Sequence, residues 1–199
     1  MRAIPPLLEE ALRRLPDGLQ AHLWRTQALA RELARHHGLD EDTASLAALA
    51  HDLCRAEPPH LLLQEARQQG LTVHPVEEAV PLLLHGPVAA LRLQGMGITH
   101  PEVLDAVRWH TTAHPLLTPL GKVVFLADKL DEGKYAQAVP FLDEVASLAR
   151  HNLDTAMRVY LRRQIVRLVE QGNLLHPATV DAWNALLQAQ GIAPSAPVL

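Results

Sequence analysis

The stretch Ala44-Ser45-Leu46-Ala47-Ala48-Leu49-Ala50-His51-Asp52-Leu53 decides the reading of this chain. An adjacent imidazole and carboxylate interrupt a run that is otherwise apolar or small, so at least one of the two is expected to point toward the protein interior. Burying an unpaired carboxylate costs several kcal/mol or more, so Asp52 requires a cation or strong donors. Val123-Val124-Phe125-Leu126-Ala127-Asp128 poses the same problem, since five apolar residues lead into a carboxylate that nothing nearby would hold in water.

The surrounding sequence supplies the frame. Apolar residues recur at three- and four-residue spacing almost throughout, which predicts an all-α helical bundle. The pattern predicts helices over Pro6–Leu15, Leu19–His36, Asp40–Leu53, Leu61–Gln68, Val76–Leu84, Pro87–Leu93, Pro101–Thr111, Pro119–Leu130, Pro140–His151, Asn152–Gln171 and Pro177–Gln190. At 199 residues one compact domain is expected. Within it, 1–18 reads as an N-terminal helical segment, 19–172 as the main body and 173–199 as a C-terminal helix with a loose tail.

Composition narrows the function classes. Charged residues make up 20% and hydrophobic ones 48%, a globular balance with no stretch fit to span a membrane. The net charge of −4 and the scattered basic residues provide no stripe for nucleic acid. The N-terminus has no export-signal pattern, and the single Cys54 excludes an internal disulfide and a cysteine-built zinc site, so a cytoplasmic address is expected. Twelve histidines are the compositional oddity. His22 lies near the start of the second helix, His85 at a helix-to-helix turn and His110 beside the apolar face of its helix. Together with His51, Asp52 and Asp128 they make six candidate ligands in or beside apolar segments. Imidazole and carboxylate without thiolate suit a divalent cation that relieves both carboxylates at once. The plainer alternative is structural pairing of Asp52 with Arg55, and of Asp128 with Lys122 or Arg92. The other histidines of punctuated stretches, including His37, His74 and His176, are expected to face solvent. Cys54 reads as a small buried side chain.

The order His22, His51-Asp52, His85, His110, Asp128 resembles the HD-domain phosphohydrolases. The blocks His85-Gly86-Pro87-Val88-Ala89-Ala90, His110-Thr111-Thr112 and Phe125-Leu126-Ala127-Asp128-Lys129-Leu130-Asp131 are similar to one subgroup, the YqeK-like symmetrical bis(5′-nucleosyl)-tetraphosphatases, over about Leu19 to Gly172. The resemblance implies an HD-domain bundle with a central metal site of one or two ions. Iron is the implied metal, and manganese, nickel or zinc suit the same donors. It implies cleavage of diadenosine tetraphosphate into two ADP by hydroxide made on the cation. Asp52, His85 and His110 are the catalytic candidates. Asp52 would bridge two ions, with His22, His51 and Asp128 completing one and His85 and His110 the other. Arg55, Thr111, Thr112, Lys122 and Lys134 are candidates for holding phosphate. The chain departs from the subgroup at Arg55, where Lys is usual, at Ala113, where Gly is usual, and across Asp131-Glu132-Gly133-Lys134, where Glu-Pro, a variable residue and Arg are usual. Two other readings are a nucleoside monophosphate phosphatase on the same frame and a nucleotide-binding module without turnover. Homodimerisation through the C-terminal helices is compatible with their amphipathic pattern.

Overall fold

The computed structural model describes residues 4–134, 140–189 and 191, and of Lys134 and Pro140 only the backbone. Among them there are helices and no strands. In chain order they are α1 (Pro6–Arg13), α2 (Asp17–His36), α3 (Glu41–Ala50), α4 (Pro59–Gln68), α5 (Pro75–Ala79), α6 (His85–Gly95), α7 (Pro101–Trp109), α8 (Pro119–Lys129), α9 (Pro140–Ala149), α10 (Leu153–Glu170) and α11 (Pro177–Ala189), with 3-10 turns at Pro81–Leu84 and Glu132–Lys134.

Local chemistry explains the boundaries. Pro6, Pro59, Pro75, Pro101 and Pro119 each open a helix, where the missing N–H costs nothing and the fixed φ is already helical. Asp40, Thr118 and Asn152 cap α3, α8 and α10 by accepting from the backbone N–H groups of Thr43, Gly121 and Thr155. Two helices are shorter than the apolar pattern predicts. The expected helix over Val76–Leu84 divides at Val80, whose φ of −130° and ψ of 72° leave the helical region, and the one reaching Leu53 stops at Ala50. His51 and Asp52 therefore stand at a helix end, free to turn inward.

α2, α3, α7 and α8 form the centre: α2 packs on α3 and α8, while α7 touches α3, α6 and α8. α8 is buried around its circumference from Val123 through Asp128, which is why Asp128 has nowhere to go but the interior. Ala44, Ala47, Ala48 and Ala50 are fully buried, and their small volume lets α3 approach its neighbours closely. Gly86 does the same for α6: a Cβ there would lie 2.8 Å from the carbonyl oxygens of Val107 and Arg108, so only glycine seats this end of α6 against the end of α7. That contact sets His85 beside His110.

Three histidines expected in solvent are engaged. His37 Nε2 donates to the Ala149 carbonyl at 2.6 Å. His74 caps α5 reciprocally with Glu77, and His176 lies 3.6 Å from the Glu77 carboxylate. Long-range packing supplies the partners of His37 and His176, which local polarity of sequence does not reveal, whereas the partner of His74 is local, three residues along the chain.

Candidate metal centre

The ends of α3 and α7, the start of α6, the first turns of α2 and the last turn of α8 meet at one point. The six candidate ligands all arrive there buried, each at most 6% exposed. They form two groups that share Asp52, namely His22, His51, Asp52 and Asp128, and Asp52, His85 and His110. The two oxygens of Asp52 divide between them. Oδ1 lies 3.0 Å from His85 Nε2 and 3.2 Å from His110 Nε2. Oδ2 lies 3.5 Å from His51 Nε2 and 3.6 Å from His22 Nε2. Asp128 Oδ1 completes the first group, 3.2 Å from His22 Nε2 and 3.4 Å from His51 Nε2.

The other ring nitrogens explain this convergence. His51 Nδ1–H donates to the Ala48 carbonyl at 2.6 Å, His85 Nδ1–H to Leu82 at 2.5 Å and His110 Nδ1–H to Val107 at 2.7 Å. His22 Nδ1–H donates instead to the Asp131 carboxylate at 2.6 Å. With Nδ1 committed as donor, a neutral ring presents its Nε2 lone pair inward. Yet His85 Nε2 and His110 Nε2 are 2.9 Å apart and His22 Nε2 and His51 Nε2 are 3.2 Å apart. Lone pairs facing one another beside two carboxylates fit a divalent cation in each group.

The titration behaviour agrees with that field. Burial opposes charge on Asp52 and Asp128, but His51, His110 and His85 around the first, and Lys129, His22 and His51 around the second, hold both carboxyls well below the usual range. Burial works against a proton on His51, yet Asp52 and Asp128 prevail and raise its pKa. His110, fully buried and facing the other imidazoles, is pushed down to about 4 and stays neutral, the ligand form.

Beside the cluster opens a cavity of about 230 Å³ lined by Asp52, His85, His110, Asp128, Arg55, Thr111 and Lys129, with an apolar wall of Val80, Leu82 and Leu83. Of the phosphate-holding candidates, Arg55 and Thr111 are there, and Thr111 Oγ1 lies 3.2 Å from His85 Nε2 and 3.1 Å from His110 Nε2. Thr112 is not: its hydroxyl donates to the Ala113 carbonyl, and its own carbonyl accepts from Thr179 of α11. Lys122 is not either. Six residues before Asp128, it leaves α8 on another side, pairs with Asp154 of α10 and lines a separate cavity with His114. The Lys134 side chain lies outside the described residues.

The plainer pairings also differ from expectation, because Arg92 is taken by Glu57 and Glu65 while Asp128 meets Lys129 at 2.6 Å. Lys129 and Asp131 are the functional candidates that sequence reasoning left aside. Lys129 was legible only as the neighbour of a ligand, and its partner could not be read because a lysine stem can fold to either side. Ala113, where glycine is usual in the resembling subgroup, adopts φ 60°, a left-handed conformation costing an L-residue about 1–2 kcal/mol. Cys54 is fully buried and burial pushes its thiol up to about 12. At pH 8 only about one thiol in ten thousand is ionised at that value. Labelling by a thiol reagent should therefore be at least about a hundredfold slower in the folded protein than in denaturant, as an absorbance time course will show.

A fold and site of this kind define an HD-domain hydrolase, and a family model for the HD domain matches residues 19–133. The chain belongs to the HD-domain family. It is 30% identical over 184 residues to the symmetrical bis(5′-nucleosyl)-tetraphosphatase of Bacillus subtilis (strain 168), covering 90% of this chain and 97% of that protein. A protein of the same name from Halalkalibacterium halodurans is 30% identical over 166 residues, covering 81% of this chain and 84% of its own length. Another, from Staphylococcus aureus, is 28% identical over 177 residues, covering 87% and 89%. The crystal structure of a predicted HD superfamily hydrolase from Clostridium acetobutylicum shares the fold, with a TM-score of 0.87 at 23% identity over 95% of this chain and 99% of that one. Among the described residues no helix is long and apolar enough to cross a membrane.

Proposed function

We propose that this protein hydrolyses diadenosine tetraphosphate symmetrically to two ADP. The observation that carries the reading is Asp52, whose two oxygens face two separate groups of imidazoles at the floor of a cavity that also holds cationic and hydroxyl donors. The names of the relatives from Bacillus subtilis, Halalkalibacterium halodurans and Staphylococcus aureus support the substrate class.

When bound, a divalent pair supplies an activated water and neutralises charge on the phosphoryl group under attack. His22, His51, Asp52 and Asp128 would hold one ion, and Asp52, His85 and His110 the other. Iron is the expected metal, and manganese, nickel or zinc satisfy the same donors. The chain's own task is to hold the polyphosphate. Arg55 offers a planar fork of N–H donors, Thr111 a hydroxyl and Lys129 an ammonium, all lining one cavity. Lys129 is already paired with Asp128, so it carries positive charge: burial lowers its pKa, but Asp128 outweighs that and raises it. In symmetric cleavage water adds to one of the two inner phosphorus atoms and the central P–O–P link breaks. Each product leaves as ADP, and the bridging oxygen departs with the second one. No covalent intermediate on the protein is needed, and Cys54, with its high pKa, supplies none. The nucleotide substrate and the reduced Cys54 suit a cytoplasmic setting. The expected homodimer would use the face of α10 on which Val166 and Val169 stay exposed, and sedimentation velocity reads it directly.

The test is chromatography of the products from diadenosine tetraphosphate with iron or manganese added. ADP as sole nucleotide product is expected. ATP with AMP would overturn the symmetric reading. Phosphate released from deoxynucleoside monophosphates, with no ADP from the dinucleotide, would establish a monophosphatase, and ADP binding without turnover a binding module. Arg55→Ala should raise KM by roughly 10–100-fold, the worth of a charge-assisted hydrogen bond of about 1.5–3 kcal/mol, with metal content unchanged. Loss of metal in that variant would contradict the division between phosphate-holding and metal-holding residues.

A further inference from the structure

His22 differs from the other three imidazoles of the cluster. Their Nδ1–H groups meet backbone carbonyls, whereas His22 Nδ1–H meets the carboxylate of Asp131, 109 residues away along the chain. Asp131 is 3% exposed, and it is held from several directions. Its Oδ1 accepts from Arg25 Nε at 2.6 Å and from the Gly133 N–H at 3.2 Å, and its Oδ2 accepts from Arg25 Nη2 at 3.0 Å. Thr26 Oγ1 is the one other polar neighbour of His22 Nδ1 among the described contacts, at 3.3 Å. The Arg25 guanidinium lies against the backbone of Gly133, where a Cβ would sit 2.1 Å from Arg25 Nη2 and 2.4 Å from Cζ. Glycine at 133 thus keeps the space that lets Arg25 reach Asp131.

We propose that Asp131, clamped by Arg25 across Gly133, is a positioning residue that fixes the His22 ring and strengthens its Nε2 as a ligand, so that one of the two cation sites is tuned separately from the other. A carboxylate accepting from the far nitrogen of a ligating imidazole sets its tautomer, holds its plane and raises its basicity. A backbone carbonyl does the first two with less charge. His22 belongs to the group completed by His51, Asp52 and Asp128, and not to that of His85 and His110. The clamp therefore acts on one site only. Because the clash at position 133 is with the end of a flexible arginine, Gly133→Ala releases Arg25 into solvent without moving a ligand or opening the core.

The inference rests on the two-cation reading proposed above, and a manganese titration separates the two. Free Mn(II) is followed by electron paramagnetic resonance as it is added to metal-free protein. The unaltered chain should show two sites, and absence of any binding would overturn the metal reading and the clamp with it. Asp131→Asn keeps shape and removes charge. It should weaken one site by about 10–100-fold and leave the other within about twofold. Gly133→Ala and Arg25→Gln should weaken the same site by less, and they keep the test alive if Asp131→Asn does not fold. Two unchanged sites in these variants would overturn the clamp while leaving the metal reading intact. Equal weakening of both sites would also overturn it, because a purely structural ion pair would act in that way.

Discussion

Asp52→Ala should lower turnover by at least about a thousandfold and strip the protein of tightly held metal at both sites. The size follows from its position. Each of the other five candidate ligands belongs to one group, whereas Asp52 belongs to both. Removing it withdraws one negative oxygen from the His85 and His110 side and another from the His22 and His51 side. Several kcal/mol of charge stabilisation by the metals is at stake, and each 1.36 kcal/mol is a decade in rate. Metal content by plasma mass spectrometry and initial rates on diadenosine tetraphosphate check it, with the helical circular dichroism expected to be unchanged. A variant that kept either metal tightly bound would show that Asp52 does not join the groups.

The second large effect is on stability. Metal-free protein gathers two carboxylates and four imidazoles in one buried site, with no cation to offset the two carboxylates or to satisfy the Nε2 atoms that face one another. A cation binding only the folded state stabilises it by RT ln(1 + [L]/Kd), about 2.7 kcal/mol at a hundredfold excess over Kd. For a domain of this length that raises Tm by roughly 5–10 °C. Chelation should reverse the shift and abolish activity, and returning the metal should restore both. Scanning calorimetry in chelator and then in excess manganese reads the effect. Equal melting temperatures in the two conditions would contradict it.

Much of this site was legible because its residues break a pattern. His51, Asp52 and Asp128 interrupt segments so apolar that exposure was excluded, and burial of a carboxylate demands a partner. The fold was legible for a similar reason, since helix-opening prolines and apolar spacing both survive without tertiary information. What escaped depends on contacts between distant segments. Asp131 reaches His22 across 109 positions, and nothing in its local sequence distinguishes it from an exposed aspartate at a helix end. Lys122 looked suitable by proximity to Asp128, yet six residues on a helix amount to about 600°, which turns the two side chains apart. Thr112 shared that fate: beside Thr111 in sequence, it spends its hydroxyl on the Ala113 carbonyl and does not line the cavity. The break at Val80, which frees Leu82 to receive His85 Nδ1–H, also follows from packing and not from the run of apolar residues around it.

The proposed site consists of two cations flanking one carboxylate. Crystals grown with manganese and measured at its absorption edge test it most directly. Two anomalous peaks are expected, one among His22, His51, Asp52 and Asp128 and one among Asp52, His85 and His110. A manganese-loaded, active crystal with no peak beside Asp52 would contradict the account.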